Sequence, residues 1–363
     1  MRVLVIGGSR FNGLALVALL AARGYDVSVF NRGLSGEKLP GGVRTIRGDR
    51  QDHAGVRERL RGRRFDAVVD FAGYEAADVR ALVQALDGHC GHYVFISSCV
   101  IYAPSTRTVI TESDPVERGP RQTEYGIKKL ECEDWLWEAA RSQGLHATVV
   151  AFAMMGGPRN FVRDREQKMF ERLLTGRPVL LPGDGSTVIQ YGHVQDGAAA
   201  IASVLGKVVA FGKRYNVGGS DAFTDRKYIE VVASVMGVDP KVHSVAAPVM
   251  TELWEGRLAA DVALPRMAST GIPVGTSSAT LSALRSLGLL RLAPSMRRWD
   301  EGVFMSSDRL RADTGWLARN DIRSLLSDAW EWYRQPQVRC CVDHDFSFED
   351  TVMPRLLARK ALP

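Results

Sequence analysis

Tyr125 and Lys129 lie four residues apart in TEYGIKK, so on a helix running from there toward Gln143 they share one face. An ammonium beside a phenol stabilises the phenolate and lowers a reference pKa of about 10, which makes proton exchange near neutral pH feasible. Ahead of them stands Ser97-Ser98-Cys99-Val100-Ile101-Tyr102, where the apolar run YVFIS ends. A serine at the tip of that run can hydrogen-bond a substrate oxygen and steady the same phenol. Lys128 lacks the spacing and reads as a surface charge. A hydroxyl, a phenol and an ammonium together suit proton transfer at a carbinol or carbonyl carbon.

Such a trio needs elements that hold it. The chain opens MRVLVIGGSRFNGLALVALLAARG. Arg2 to Ile6 suit a strand buried on both faces; Gly7, Gly8 and Gly13 make a tight turn; Leu14 to Arg23 read as a helix ended by Gly24. Glycines let the backbone approach a pyrophosphate, and the first free N–H groups of the helix face the anion, so the spacing predicts a dinucleotide site. A second strand, Asp26 to Phe30, ends at Asn31 and Arg32, where such a motif meets the adenosine ribose. A carboxylate there would repel a 2′-phosphate, whereas a guanidinium binds one in bidentate fashion, so Asn31-Arg32 favours NADP over NAD. The plainer reading of Arg32 is a solvated loop arginine. Strands at Val43–Arg47, Ala67–Phe71 and Tyr93–Ser97 alternate with helices at Ala54–Arg61 and Ala76–Leu86, which implies a parallel sheet with its ligand beyond the carboxyl ends. Asp49 and Phe71-Ala72-Gly73 fall at those ends, as pocket-lining or ordinary turn residues.

Composition excludes several classes. With 363 residues, 45% of them hydrophobic, the chain can bury a large core and build more than one domain. No apolar run approaches a membrane span, and the start lacks signal-peptide features. Five cysteines without framework spacing suggest reduced thiols in a cytoplasm. The net charge of +6 gathers at Arg57–Arg64, around Arg163–Arg177 and at Arg297-Arg298, which suits anionic small molecules and permits nucleic acid without requiring it. His89-Cys90-Gly91-His92 and Asp343-His344-Asp345 do not assemble a metal site, and Cys340-Cys341 read as small apolar side chains. No GxSxG elbow appears, which argues against a hydrolase.

The glycine loop, SSxxxY and YxxxK together resemble the extended short-chain dehydrogenases/reductases, the family of nucleotide-sugar epimerases and dehydratases, from Met1 to about Trp332. GGSRFNG, the NRG at Asn31–Gly33 and the GDR at Gly48–Arg50 resemble an atypical branch that includes chloroplast stem-loop RNA-binding proteins and bacterial reductases or epimerases. The resemblance implies an α/β fold, a Rossmann-type doubly wound parallel sheet with a smaller C-terminal substrate-binding lobe. Residues 1–155, with returning segments near 186–222, would bind the dinucleotide; 156–185 and 223–333 would form the substrate lobe; 334–363 would be an extension. It implies Ser98 as the substrate-polarising hydroxyl, Tyr125 as the acid/base and Lys129 as its tuner and ribose ligand. Gly7, Gly8, Arg10, Phe11, Gly13, Asn31, Arg32, Asp49, Arg50, Phe71, Ala72, Gly73 and Ser97 would line the site of NADP or NAD. The implied substrate is a nucleotide-activated sugar, and the implied assembly a homodimer through the Tyr-bearing helix.

Departures from the family pattern shape the reading. Arg10 replaces the middle glycine of GxxGxxG, which narrows the space over the pyrophosphate and adds a cation near the 2′-phosphate region. Ala151 and Phe152 stand where an Arg-Pro pair is usual, and Cys99-Val100 stand where dehydratases show Asp-Glu, so dehydration is disfavoured. Epimerisation comes first, NADPH-linked reduction second, and an RNA-binding protein that keeps the fold third; the intact trio speaks against the last. Asn160 would hydrogen-bond a diphosphate or sugar, or cap a helix at Phe161–Leu174. His193 in HVQD reads as structural first and substrate-facing second, with Asp196 capping the helix from Val194 to Leu205. Tyr215–Gly219 resembles a further sheet strand and Thr224–Val235 a capped helix. Val274–Leu290 could be a helix with loop insertions. Trp299, Asp308 and Arg309 resemble a late substrate-lobe segment, with Arg309 on a diphosphate or in a surface ion pair. Ile322–Tyr333 reads as a closing helix, and the tail from Gln335 as a segment that packs on a neighbouring chain.

Overall fold

Runs of Val, Leu, Ile and Phe bounded by glycine turns produce the central layer. The computed structural model describes residues 1–103, 109–162, 165–255, 257–258, 261, 300–339 and 345–359. Strands β1 (Arg2–Ile6), β2 (Asp26–Asn31), β3 (Arg44–Arg47), β4 (Ala67–Asp70), β5 (Tyr93–Ser98) and β6 (Ala147–Phe152) form one sheet with the late strand Lys213–Val217. The spatial order is Lys213–Val217, β6, β5, β4, β1, β2, β3, and every pairing is parallel. Because β1 lies between β2 and β4, chain direction through the sheet reverses at β1 and leaves a crevice beyond the ends of β1 and β4. This is the doubly wound Rossmann-type arrangement expected from the sequence, with Tyr215 in the added seventh strand.

Side-chain alternation loads both faces. Val3, Val5 and Val29 pack with Leu16, Val17 and Leu20 of helix α1 (Phe11–Ala22) and with Ile201 and Val204 farther along the chain. On the opposite face Leu4, Ile6 and Phe95 pack with Val56 and Leu60 of α2 (His53–Leu60), Val79 and Leu82 of α3 (Ala76–Leu86), and Leu136 of α4 (Glu124–Gln143). Burying both faces of a parallel sheet is what near-continuous apolar strands demand.

A second core gathers Met169, Phe170, Tyr191, Phe223, Tyr228, Leu325 and Tyr333 around α5 (Glu166–Leu174) and the helices Asp225–Met236 and Ile322–Tyr333. Helix α5 begins at Glu166, later than the Phe161 start read from sequence. The reason is local: Asn160 Oδ1 accepts the Val162 N–H and holds a turn, while the Glu166 carboxylate accepts Gly157 N–H and Asn160 Nδ2. Asp196 likewise does not cap the helix Val194–Val204. His193 Nδ1 does so by accepting Gln195 N–H, and Asp196 accepts the N–H groups of Arg319 and Asn320.

The tail turns back on its own chain. Val352, Met353 and Leu356 on the helix Ser347–Arg359 are buried with Leu180, Val245, Met250 and Leu253, and Glu349 meets Arg172 at 2.6 Å where both are buried. Arg163, Val274–Leu290, Arg297-Arg298, Trp299, Cys340-Cys341 and Asp343-His344 lie outside the described residues. Breaking a buried pair from one side strands the other charge, so Glu349→Ala should lower unfolding free energy by about 3–5 kcal/mol in urea titration. A loss below about 1 kcal/mol would show that the tail is not anchored there.

Candidate active site

The glycine turn is shaped for close backbone approach. Gly7 has φ +81°, and a Cβ on Gly13 would lie 2.4 Å from the Gly7 carbonyl oxygen, so α1 reaches the turn only because residue 13 has no side chain. Arg10 is the extended N-cap of α1 and gives no side-chain cap; the first turn holds no acidic residue. Those N–H groups and the helix dipole are therefore free to face an anion. The left-handed conformation falls on Phe11, at φ +40°, whose ring is buried in the core and anchors the turn. The Arg10 guanidinium lies 5.3 Å from the Phe161 ring centroid, which joins the turn to the segment ahead of α5. Arg159 and Glu37 pair nearby.

Across the crevice, Phe71-Ala72-Gly73 is held by a buried carboxylate. Burial alone would raise the Asp70 carboxyl, but the Arg50 guanidinium at 2.7 Å and the Tyr93 hydroxyl at 2.7 Å hold it below the usual range. Its Oδ1 also accepts Ala72 N–H at 2.9 Å. A Cβ on Gly73 would strike the Phe95 ring at 2.5 Å, and one on Gly7 would stand 3.4 Å from the Cβ atoms of Phe71 and Ala72, so the two loops face each other. Asn31 Oδ1 accepts Gly33 N–H, Arg32 is exposed, and Asp49 Oδ1 accepts Gln51 N–H. Gly8 is required by packing among Val5, Val17 and Val29.

The trio meets at the ends of β5 and α4. Thr123 caps α4 by accepting Gly126 N–H, which puts Tyr125 in its first turn and Lys129 one turn on. Lys129 Nζ donates to Gly73 O at 2.8 Å and Ile96 O at 2.9 Å, with ring centroids of Phe95, Tyr74 and Tyr125 at 4.7, 5.0 and 5.7 Å. Burial lowers its pKa to about 8, against the pull of Asp70. The Tyr125 hydroxyl is pushed well above its ordinary range by burial and by Tyr74 and Cys99, while a hydrogen bond with Ser98 and the Arg165 guanidinium act the other way. Ser98 Oγ also accepts Val100 N–H, opening the turn Cys99–Ile101. Ligand-free, the phenol therefore carries its proton, contrary to the lowering by Lys129 expected from the spacing, because burial dominates and the ammonium is bonded to the Gly73 and Ile96 carbonyls. Ser97 is turned inward, its hydroxyl on Glu133, which also pairs with Arg214.

Two participants escaped the sequence reading. Tyr74, whose ring stands 6.3 Å from that of Tyr125, carries no signal beyond following Gly73; Arg165 sits at the N-cap of α5. Other expected residues are drawn elsewhere. Asn160 is buried with Glu166, and His193 is buried beside Asp328 as a helix cap, its imidazole held neutral by desolvation. Arg309 meets Glu112 and the Arg214 carbonyl. Lys128 pairs with Glu75 and Glu124 on the surface, as read.

The model of the NAD dependent epimerase/dehydratase family matches residues 3–218. The chain belongs to that family. It is 33% identical over 236 residues to the chloroplast stem-loop binding protein of 41 kDa b of Arabidopsis thaliana, a match covering 61% of this chain and 60% of that protein, less than two thirds of its length. The UDP-glucose 4-epimerase of Corynebacterium glutamicum is 26% identical over 91% of this chain and 95% of its own. The solved structure of the Thermus thermophilus UDP-glucose 4-epimerase in complex with NAD shares the fold, with TM-score 0.67 and 23% identity over 93% of this chain and 100% of that one. The chain is thus of the extended short-chain dehydrogenase/reductase type. The turn at Gly7–Gly13, which a Cβ would fill, and the uncapped start of α1 fit a dinucleotide. Among the described residues no helix is long and apolar enough to cross a membrane.

The buried ammonium leaves a pH signature. Lys129 titrates near 8 in the fold against 10.5 for an ordinary lysine, so between those values the unfolded chain holds the extra proton and stability rises with pH. Lys129→Met should lose that rise, even though stranding the Gly73 and Ile96 carbonyls lowers its stability throughout. Urea titrations of both proteins at several pH values check this; parallel curves would refute it.

Proposed function

We propose that this chain epimerises a nucleotide-activated sugar by transient oxidation of a ring carbinol, with Tyr125 as acid/base. The observation that carries the reading is the convergence of Ser98 at the tip of β5 with Tyr125 and the buried Lys129 ammonium on one face of α4, at the open end of the parallel sheet. A bound nicotinamide dinucleotide supplies the hydride acceptor and, in the same turnover, the donor. Tyr125 Oη, once it has given up its own proton to solvent, would take the hydroxyl proton as the carbinol is oxidised and return it as the carbonyl is reduced from the other face. Ser98 Oγ donates to the substrate oxygen in both half-reactions, and Lys129 orders the loop and strand end beside the phenol. No net redox change results.

Several features support the finer points. Asn31 and Arg32 in place of a carboxylate favour NADP over NAD. The corynebacterial relative's name supports a UDP-sugar. We assign a homodimer through α4 by family likeness, and the thiols Cys90 and Cys132, which form no disulfide, support a reducing compartment, the cytoplasm. The plant relative's name speaks of stem-loop binding; a pure binder has no use for the Ser98, Tyr125 and Lys129 set.

Incubation with a panel of UDP- and dTDP-sugars, followed by chromatographic resolution of epimers, tests the activity. Tyr125→Phe should cut turnover by about 10²–10⁴-fold while leaving dinucleotide affinity within about twofold. Undiminished turnover in that variant would overturn the role of Tyr125. Stoichiometric consumption of reduced cofactor would replace epimerisation by net reduction.

A further inference from the structure

The carboxyl end of β2 is flanked by a second arginine that the sequence reading passed over. Asn31 and Arg47, the last residues of β2 and β3, are direct partners in the parallel register, so their side chains leave the sheet on the same face and at the same end. At Gly33 the chain turns with φ +74°, and Asn31 Oδ1 is occupied by the Gly33 N–H. The Arg47 side chain lies against this turn: a Cβ on Gly33 would stand 3.3 Å from Arg47 Nε and 3.6 Å from Cζ. A side chain at position 33 would displace the guanidinium.

The surroundings are strongly cationic. Arg47 lines a cavity of about 510 Å³ along the β3 edge, together with Arg44, Arg59 and Arg63. Arg44 is neutralised by Asp26. Arg59 and Arg63 donate to the carbonyls of Gly55 and Arg59, so their charge is not cancelled by those contacts. Arg47 itself is exposed and forms no ion pair among the described residues. A dinucleotide laid across the carboxyl ends puts its adenosine ribose at the end of β2, where Asn31 offers no carboxylate to take the 2′-hydroxyl or repel a phosphate.

We propose that Arg47, on β3, is a cofactor-selecting residue that with Arg32 brackets the 2′-phosphate of NADP. The inference rests on the reading that a nicotinamide dinucleotide binds at this turn, and it adds a residue from the neighbouring strand. Arg32 precedes Gly33 in the loop after β2, and the Arg47 side chain lies against Gly33 from β3, so the two arginines flank one turn. A phosphate dianion has oxygens enough to accept from both.

Isothermal titration of the protein with NADP⁺ and NAD⁺ separately, at fixed low ionic strength, separates the possibilities. Arg47→Ala should weaken NADP⁺ by about ten- to a hundredfold and leave NAD⁺ within about twofold. Arg63→Ala, which removes a charge from the same cavity away from Gly33, should leave the ratio of the two affinities within about twofold. Wild type that prefers NADP⁺ while Arg47→Ala keeps the preference would overturn the role of Arg47 and leave the cofactor site standing. Equal losses for both cofactors in Arg47→Ala, an equal effect of Arg63→Ala, or a wild type that prefers NAD⁺ would also overturn it. Failure of the folded wild type to bind either dinucleotide would remove the underlying reading as well. A melting temperature for each variant confirms that the compared proteins are folded.

Discussion

A single buried ammonium ties together the parts of this active site. Lys129 reaches from α4 to two carbonyls that belong to different elements, Gly73 in the loop after β4 and Ile96 in β5. Neither carbonyl competes for a proton, so both bonds favour the charged lysine, while desolvation works against it and prevails in lowering the pKa to about 8. The faces of Phe95, Tyr74 and Tyr125 surround the same nitrogen and return part of the lost hydration as cation–π attraction. Helix, strand and loop are thereby registered to within hydrogen-bond tolerance. Tyr125, one turn before Lys129, inherits its position from that registration.

The other buried charges on the same side of the sheet do similar work for neighbouring pieces. Asp70 gathers Arg50, Tyr93 and the Ala72 N–H, which fixes the loop facing the glycine turn. Glu133 gathers Ser97 and Arg214, which joins α4 to the end of β5 and to the seventh strand. Each is an ion pair or a charge-assisted bond with little solvent access, where removal of one partner strands the other. Arg50 and Ser97, expected along a cofactor, instead hold the scaffold that presents Gly73 and Ser98.

Contacts across the crevice give the site its second wall. Arg10 on Phe161 and Arg159 on Glu37 link the segment ahead of α5 with the cofactor side. Arg165 follows in the same segment, at the N-cap of α5, and its charge favours the Tyr125 phenolate. The arginine that departs from the usual glycine motif thus serves as a clasp, and its replacement of glycine is accommodated because position 10 is extended and the positive φ angles of the turn fall on Gly7 and Phe11.

Much of this was legible in the residues alone. Parallel strands follow from apolar runs such as VLVI and AVVD, the dinucleotide turn from Gly7 and Gly13, and the Tyr125–Lys129 face from helical spacing, because all are short-range consequences of backbone geometry and burial. The separation of Ser98 from Tyr125 was also legible, since strand tip and helix start recur in one order along the chain. What tertiary structure alone decided is which polar side chains reach the site and which are consumed on the way. Asn160 went to Glu166, His193 to a helix cap, Arg309 to Glu112, and the tail to its own chain, while Tyr74 came in beside Tyr125 and Arg47 came to lie against Gly33. Buried donors and acceptors must be satisfied by whatever the packed fold brings within reach, and that pairing depends on distances between segments far apart in sequence.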